Sequence, residues 1–125
     1  MPVQWTISHP TRLVIAIAKG ELHLNDVENY LDGVVTADAL PYRKIFDTTD
    51  ATVGLSEDDM MALGARIRAY VGMDRMGALA IVATTDRSYR QARLYAALAV
   101  ADRPLRIFRE LHLARKWLDE QAAKE

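Results

Sequence analysis

The sequence predicts an α/β domain: a mixed, mostly parallel five-stranded sheet with about four helices packed on it, in the order β-β-α-β-α-β-α-β-α. Three observations predict it. Two strand-like apolar runs stand together at the start, with only "HPT" between them. After them, stretches of helical periodicity alternate with short apolar runs to the end of the chain. Strands joined through helices must cross over, and right-handed crossovers give a parallel sheet.

"VQWTIS" and "RLVIAIAKGE" are the first two strands, separated where Pro10 forbids a continuous ladder. In "LVIAIA" the residues on both faces are apolar, so this strand is expected to be covered on both sides. "NDVENYLDGVVTA" has the spacing of a helix, with Asn25 as N-cap and Glu28 completing a capping box. "YRKIFDTT" is the third strand, entered after Pro41. "SEDDMMALGARIRAYVG" is the clearest helix: Met60, Leu63, Ile67 and Val71 form its apolar stripe, Gly64 allows close packing and Gly72 closes it. "ALAIVATT" is a short central strand, and "DRSYRQARLYAALAVA" a helix stopped by Pro104. "LRIFRE" is the last strand, followed by a helix "LHLARKWLDEQ" expected to bury Leu113, Ala114, Trp117 and Leu118. Phe108, Ile81 and Ile15 are expected in the core as well.

Residues 1–125 form one domain, since no linker, repeat or low-complexity segment divides them. A net charge of -1 gives no footprint for nucleic acid or an anionic membrane surface. With no cysteine, thiol catalysis and thiolate metal sites are excluded. No apolar run has the length of a signal peptide or a membrane span, so a cytoplasmic protein without stable membrane insertion is expected.

Three segments together resemble a known family. They are "LRIFRELHLARKWLDEQ", "GALAIVATTDRSYRQARLYAALA" and "VIAIAKGELHLNDVENYLDGV". In element order and local pattern the chain resembles the STAS-like domains, and most of all their SpoIIAA-like, or STAS/SEC14-like, branch. The founding members are bacterial anti-sigma-factor antagonists. The resemblance spans essentially the whole chain and implies a STAS/SpoIIAA-like fold and a regulatory or protein-interaction role, with no cofactor.

The segment "KIFDTTDATVGLSEDDM" holds the candidate chemistry. The resemblance implies a phosphorylatable serine in an Asp-Ser-Ser-Gly motif here. That motif is missing, and Ser56 is the nearest hydroxyl, which makes it the candidate phospho-switch. Glu57, Asp58 and Asp59 follow it and would repel a phosphate. Asp47, at an expected strand end, is a candidate phosphoryl-accepting nucleophile. The second aspartate that haloacid-dehalogenase-like enzymes carry two residues on is Thr49 in this chain. Asp47, Asp50, Asp58 and Asp59 could offer oxygen ligands, but their spacing matches no calcium loop. His9, His23 and His112 lie in separate elements, so no metal site is expected. Capping explains more: Ser56 with Asp59 makes a capping box, and acids in the first turn suit the helix dipole.

Ligands of open α/β sheets sit beyond the carboxyl ends of the strands. Asp47, Thr49, Asp50, Thr85, Arg87 and Ser88 therefore form a candidate ligand or docking edge. The third helix is apolar on two sides. Tyr89, Ala92, Ala96 and Ala99 make one face, and Leu94 and Leu98 project from nearly the opposite one. Such a helix is either wedged between layers or presents a patch, so Leu94 and Leu98 are a candidate homodimer surface. The expected function is a non-catalytic interaction module acting on a protein partner or on itself. The alternative is a carrier of a small apolar or lipid-like ligand, with Met60, Met61, Met73 and Met76 lining an adaptable cavity. A phosphoryl-handling enzyme using Asp47 comes last.

Overall fold

A computed structural model describes residues 2–99 and 101–124. The strands are β1 (Val3–Ser8), β2 (Leu13–Leu22), β3 (Arg43–Val53), β4 (Leu79–Val82) and β5 (Leu105–Phe108). The helices are α1 (Leu24–Thr36), α2 (Glu57–Val71), α3 (Asp86–Leu98) and α4 (Leu111–Ala122). The element order is the predicted one. Val100, which the sequence pattern assigns to the end of the third helix, lies outside the described residues. Among the described residues no helix is long and apolar enough to cross a membrane.

The strands lie side by side in chain order, β1-β2-β3-β4-β5. β1 runs antiparallel to β2, and every other neighbouring pair is parallel. The hairpin turn uses Arg12 at φ 53° to reverse the chain. β3 is longer than expected and continues through "DTTDATV" to Val53, paired with β2 alone beyond Asp47. Ile17 pairs with Asp47 and Lys19 with Asp50, so Thr48 and Thr49 together face the single residue Ala18. This is a bulge, and it lets the ladder continue past a polar sequence that reads as a strand end.

The two faces of the sheet are covered unequally. α1, α2 and α3 pack on one face, where Val14, Ala16 and Ala18 are fully buried. α4 alone packs on the other, over Ile45, Ala80 and Val82, with Ala114 and Leu118 as its buried contacts. One helix cannot span five strands, so the far side of β2 is only partly covered. Ile15 is partly buried and Ile17 is 39% exposed, which corrects the expectation that β2 is enclosed on both faces. Leu113 is likewise exposed, because it points away from the sheet. Trp117 and Phe108 are partly buried and meet ring against ring at 5.7 Å near the margin of this layer. Ile81 is buried as expected.

Helix boundaries shift by a residue or two. α1 starts at Leu24 with His23 as N-cap, whose backbone N–H donates to the Asp26 carboxylate at 2.9 Å. The expected Asn25–Glu28 box is therefore not formed. Glu28 instead joins Asp32 in pairing with Arg66, which ties α1 to α2 at 3.0 and 2.8 Å. On α2, Tyr70 takes the buried position expected of Val71, which is exposed. Gly64 lies against the Leu98 carbonyl, where an added Cβ would stand 2.6 Å from the oxygen, so α2 and α3 touch through backbone. Gly33 serves α1 in the same way by admitting the ring of Trp5.

Candidate functional site

The polar segment from Asp47 in β3 to Asp59 in α2 is tied down by local hydrogen bonds. Asp47 accepts hydrogen bonds from the Thr49 backbone N–H at 2.9 Å and from the Thr49 hydroxyl at 2.5 Å, which stabilises the bulge. Thr48 is buried and donates to the Val82 carbonyl at 2.7 Å, satisfying the end of β4. Asp47 and Asp50 thus lie inside β3 and not at its end, contrary to the sequence expectation. Ser56 is the N-cap of α2. Its hydroxyl accepts from the Asp59 N–H at 3.0 Å, and the Asp59 carboxylate accepts from the Ser56 N–H at 3.0 Å. Glu57, Asp58 and Asp59 fill the first turn. Ser56→Ala is expected to cost about 1 kcal/mol in a urea unfolding titration. Ser56→Asp, which keeps an accepting oxygen, should restore most of it; an unaffected Ser56→Ala protein would mean that the cap contributes nothing.

The start of α3 is organised in the same way. Thr85 is the N-cap and accepts from the Ser88 N–H at 3.0 Å, while the buried Ser88 hydroxyl donates to the Thr85 carbonyl at 3.1 Å. Arg87 is exposed. Arg109, at the end of β5, reaches across to Asp86 at 3.0 Å. Thr85 and Ser88 lie beyond the carboxyl end of β4, whose last residue, Val82, pairs with Asp47. The hydroxyls of Thr85, Ser88 and Thr48 are thus committed to backbone groups. Among the described residues no three His, Asp or Glu side chains gather as a metal site. Leu94 and Leu98 are partly buried and pack on the main core, so α3 is wedged between α2 and the sheet.

A cavity of about 80 Å³ lies within that core, between the sheet and helices α1, α2 and α3. Leu31, Leu63, Met60, Met76, Phe46 and Ile81 give it an apolar wall. Of the four methionines expected to line such a space, Met60 and Met76 do so; Met61 and Met73 are 56% and 61% exposed. The remaining wall includes Lys44, Arg103, Tyr30, Tyr95 and Gln91, with no carboxylate among the described residues that line it.

Tyr30 and Lys44 are buried, Arg103, Tyr95 and Gln91 are half-buried, and atoms of Tyr30, Arg103 and Gln91 are incompletely matched. The Tyr30 ring sits between Trp5 and Phe46, with ring centroids 5.7 and 5.3 Å away, and its hydroxyl has no hydrogen-bond partner. Nε and Nη2 of Arg103 and Oε1 of Gln91 are buried atoms without partners among the described residues. Gln91 spends its amide nitrogen on the Leu55 carbonyl at 3.2 Å. Lys44 is buried and donates to the Leu40 and Tyr42 carbonyls at 2.5 and 2.6 Å. Arg103 forms no ion pair among the described residues. Burial pushes the Tyr30 hydroxyl far above the ordinary tyrosine range; Tyr95 adds to this and Arg103 opposes it. Burial also raises Tyr95, against the charge and hydrogen bonding of Arg103. Both phenols are therefore neutral donors at physiological pH.

Register places the cations. Lys44 pairs with Leu79, and Leu79 with Leu105, two residues after Arg103. Lys44 and Arg103 therefore belong to the amino-terminal end of the parallel strands, opposite the edge that the sequence pointed to. One signal for this was legible: Lys44 shares the core-facing parity of Phe46 in a central strand. Arg103 gave none, since it lies in an aperiodic connection.

No family model matches the chain, and no curated protein matches it. Among solved structures it is similar to an uncharacterised protein of the DUF3478 family from Shewanella loihica PV-4, which has a SpoIIAA-like fold. That likeness has a TM-score of 0.61 at 18% sequence identity and covers 93% of both chains. The fold of this chain is SpoIIAA-like.

Proposed function

We propose that this SpoIIAA-like domain is a non-catalytic binding module that holds a small apolar molecule between its sheet and α1–α3. The observation that carries this reading is the cavity in the core, walled by Leu31, Leu63, Met60 and Met76. A protein interior normally closes such spaces, because each unfilled void forfeits contacts. The nearby hydroxyls of Thr48 and Ser88 are engaged with backbone carbonyls, which supports binding over catalysis. Size narrows the ligand. An apolar cavity of roughly 150 Å³ holds benzene, so about 80 Å³ suits a thin, short-chain molecule and neither an aromatic ring nor a lipid acyl chain. The interaction-module expectation has less behind it, since Leu94 and Leu98 pack on the core.

The methionines provide an internal control. With the methionine methyl groups labelled with carbon-13, xenon under pressure should shift the NMR signals of Met60 and Met76. Those of the exposed Met61 and Met73 should stay in place. Equal shifts at all four, or none, would exclude a xenon-accessible cavity and with it this reading.

A further inference from the structure

We infer that the molecule held in this cavity is a small monocarboxylate, with its carboxylate on Arg103 and its apolar end among Leu31, Leu63 and Met60. The inference rests on the binding reading above and adds the chemistry of the head group.

A guanidinium taken out of water without a compensating anion is costly, and buried charges in proteins are normally paired. Arg103 forms no ion pair among the described residues, and no carboxylate is found among the described residues that wall the cavity. The unpartnered edge of the half-buried Arg103 guanidinium is thus the place for an anion supplied by a ligand. Its shape follows from which atoms lack partners. Nε and Nη2 form one edge of the guanidinium, and their two N–H groups run parallel, at the spacing of a carboxylate's two oxygens. The Tyr30 hydroxyl, buried and unpartnered, is a further donor in the same wall. Arg103, Tyr30 and Tyr95 all line the same cavity. The Tyr30 phenol stays protonated, so it can donate to an anion but does not repel one.

The tail is limited by the cavity. A volume of about 80 Å³ with an apolar wall admits a short aliphatic chain. A free phosphate fits poorly, because it would strip a strongly hydrated anion and leave the apolar wall empty.

Butanoate tests the assignment against butan-1-ol, which has the same chain and no charge, and against inorganic phosphate, which has charge and no chain. Dissociation constants come from titrations followed on the Met60 and Met76 methyl signals. Butanoate is expected to bind at least about tenfold more tightly than butan-1-ol, because a hydrogen-bonded charge pair contributes more than a neutral contact. In Arg103→Met the two should bind within about twofold of each other, with circular dichroism verifying that the variant is folded. If that variant does not fold, the comparison of the three probes on the unaltered protein decides alone. Butan-1-ol binding as tightly as butanoate would overturn the carboxylate assignment and leave the apolar-binding reading standing. Phosphate shifting the same signals as strongly as butanoate would overturn it too. No response to any of the three would overturn both.

Discussion

Replacing Gly77 with alanine is expected to destabilise the protein by about 3 kcal/mol, the upper end of what overpacking usually costs. Gly77 precedes β4 and donates its N–H to the Leu40 carbonyl at 2.9 Å. A Cβ built there would run into the carbonyl oxygens of both Pro41 and Tyr42. Both obstacles are backbone atoms, so no side chain can rotate away, and the segment entering β3 would have to move. That segment carries Arg43 and Lys44, whose side chains bind five backbone and side-chain oxygens between the hairpin, α4 and the core. Urea unfolding of Gly77→Ala should show a lower midpoint at an unchanged slope. Gly72→Ala is the control. Gly72 lies at φ -76° in the right-handed region, with the nearest atom to an added Cβ 3.5 Å away. Alanine there should be neutral or stabilising by up to about 1 kcal/mol. If the two substitutions cost the same, the close approach at Gly77 is not real.

Leu63→Ala is expected to cost about 2–5 kcal/mol and, at the same time, to change what the protein binds. Leu63 is only 1% exposed and is part of both the main core and the cavity wall. Its truncation removes a buried side chain and joins the vacated space to the existing cavity. The enlarged volume moves toward the roughly 150 Å³ in which benzene is held. Benzene should then raise the melting temperature of Leu63→Ala by mass action on the folded state and leave the unaltered protein nearly unchanged. A loss below about 1 kcal/mol would mean that α2 is not packed at this position. A full loss without rescue would mean that the wall collapses into the space.

Much of this protein is written locally. The alternation in "LVIAIA", the periodicity of "MMALGARIRAY" and the acids after Ser56 each specify an element or its end within a few residues. The capping box at Ser56 was legible because a cap involves residues three apart. The same locality misled the reading of "DTTD". A hydroxyl-and-acid cluster favours a turn by itself, but β2 holds it in the ladder through a bulge, and only the partner strand decides that. Leu113, Ile15 and Trp117 were placed too deep for a related reason. Periodicity tells which side of an element is apolar, but not how far the layer opposite it extends.

Element order, the parallel sheet after an opening hairpin, the cap of α2 and the lack of cysteine chemistry are all legible in the sequence. Only long-range packing wedges α3, leaves a cavity between the sheet and three helices, and puts Arg103 in its wall with no carboxylate among the described lining residues. The physical reason is range. Propensity, periodicity and capping act over a few residues along the chain. A cavity and an unpartnered guanidinium edge depend on how Tyr30, Gln91 and Arg103, far apart in sequence, are brought together.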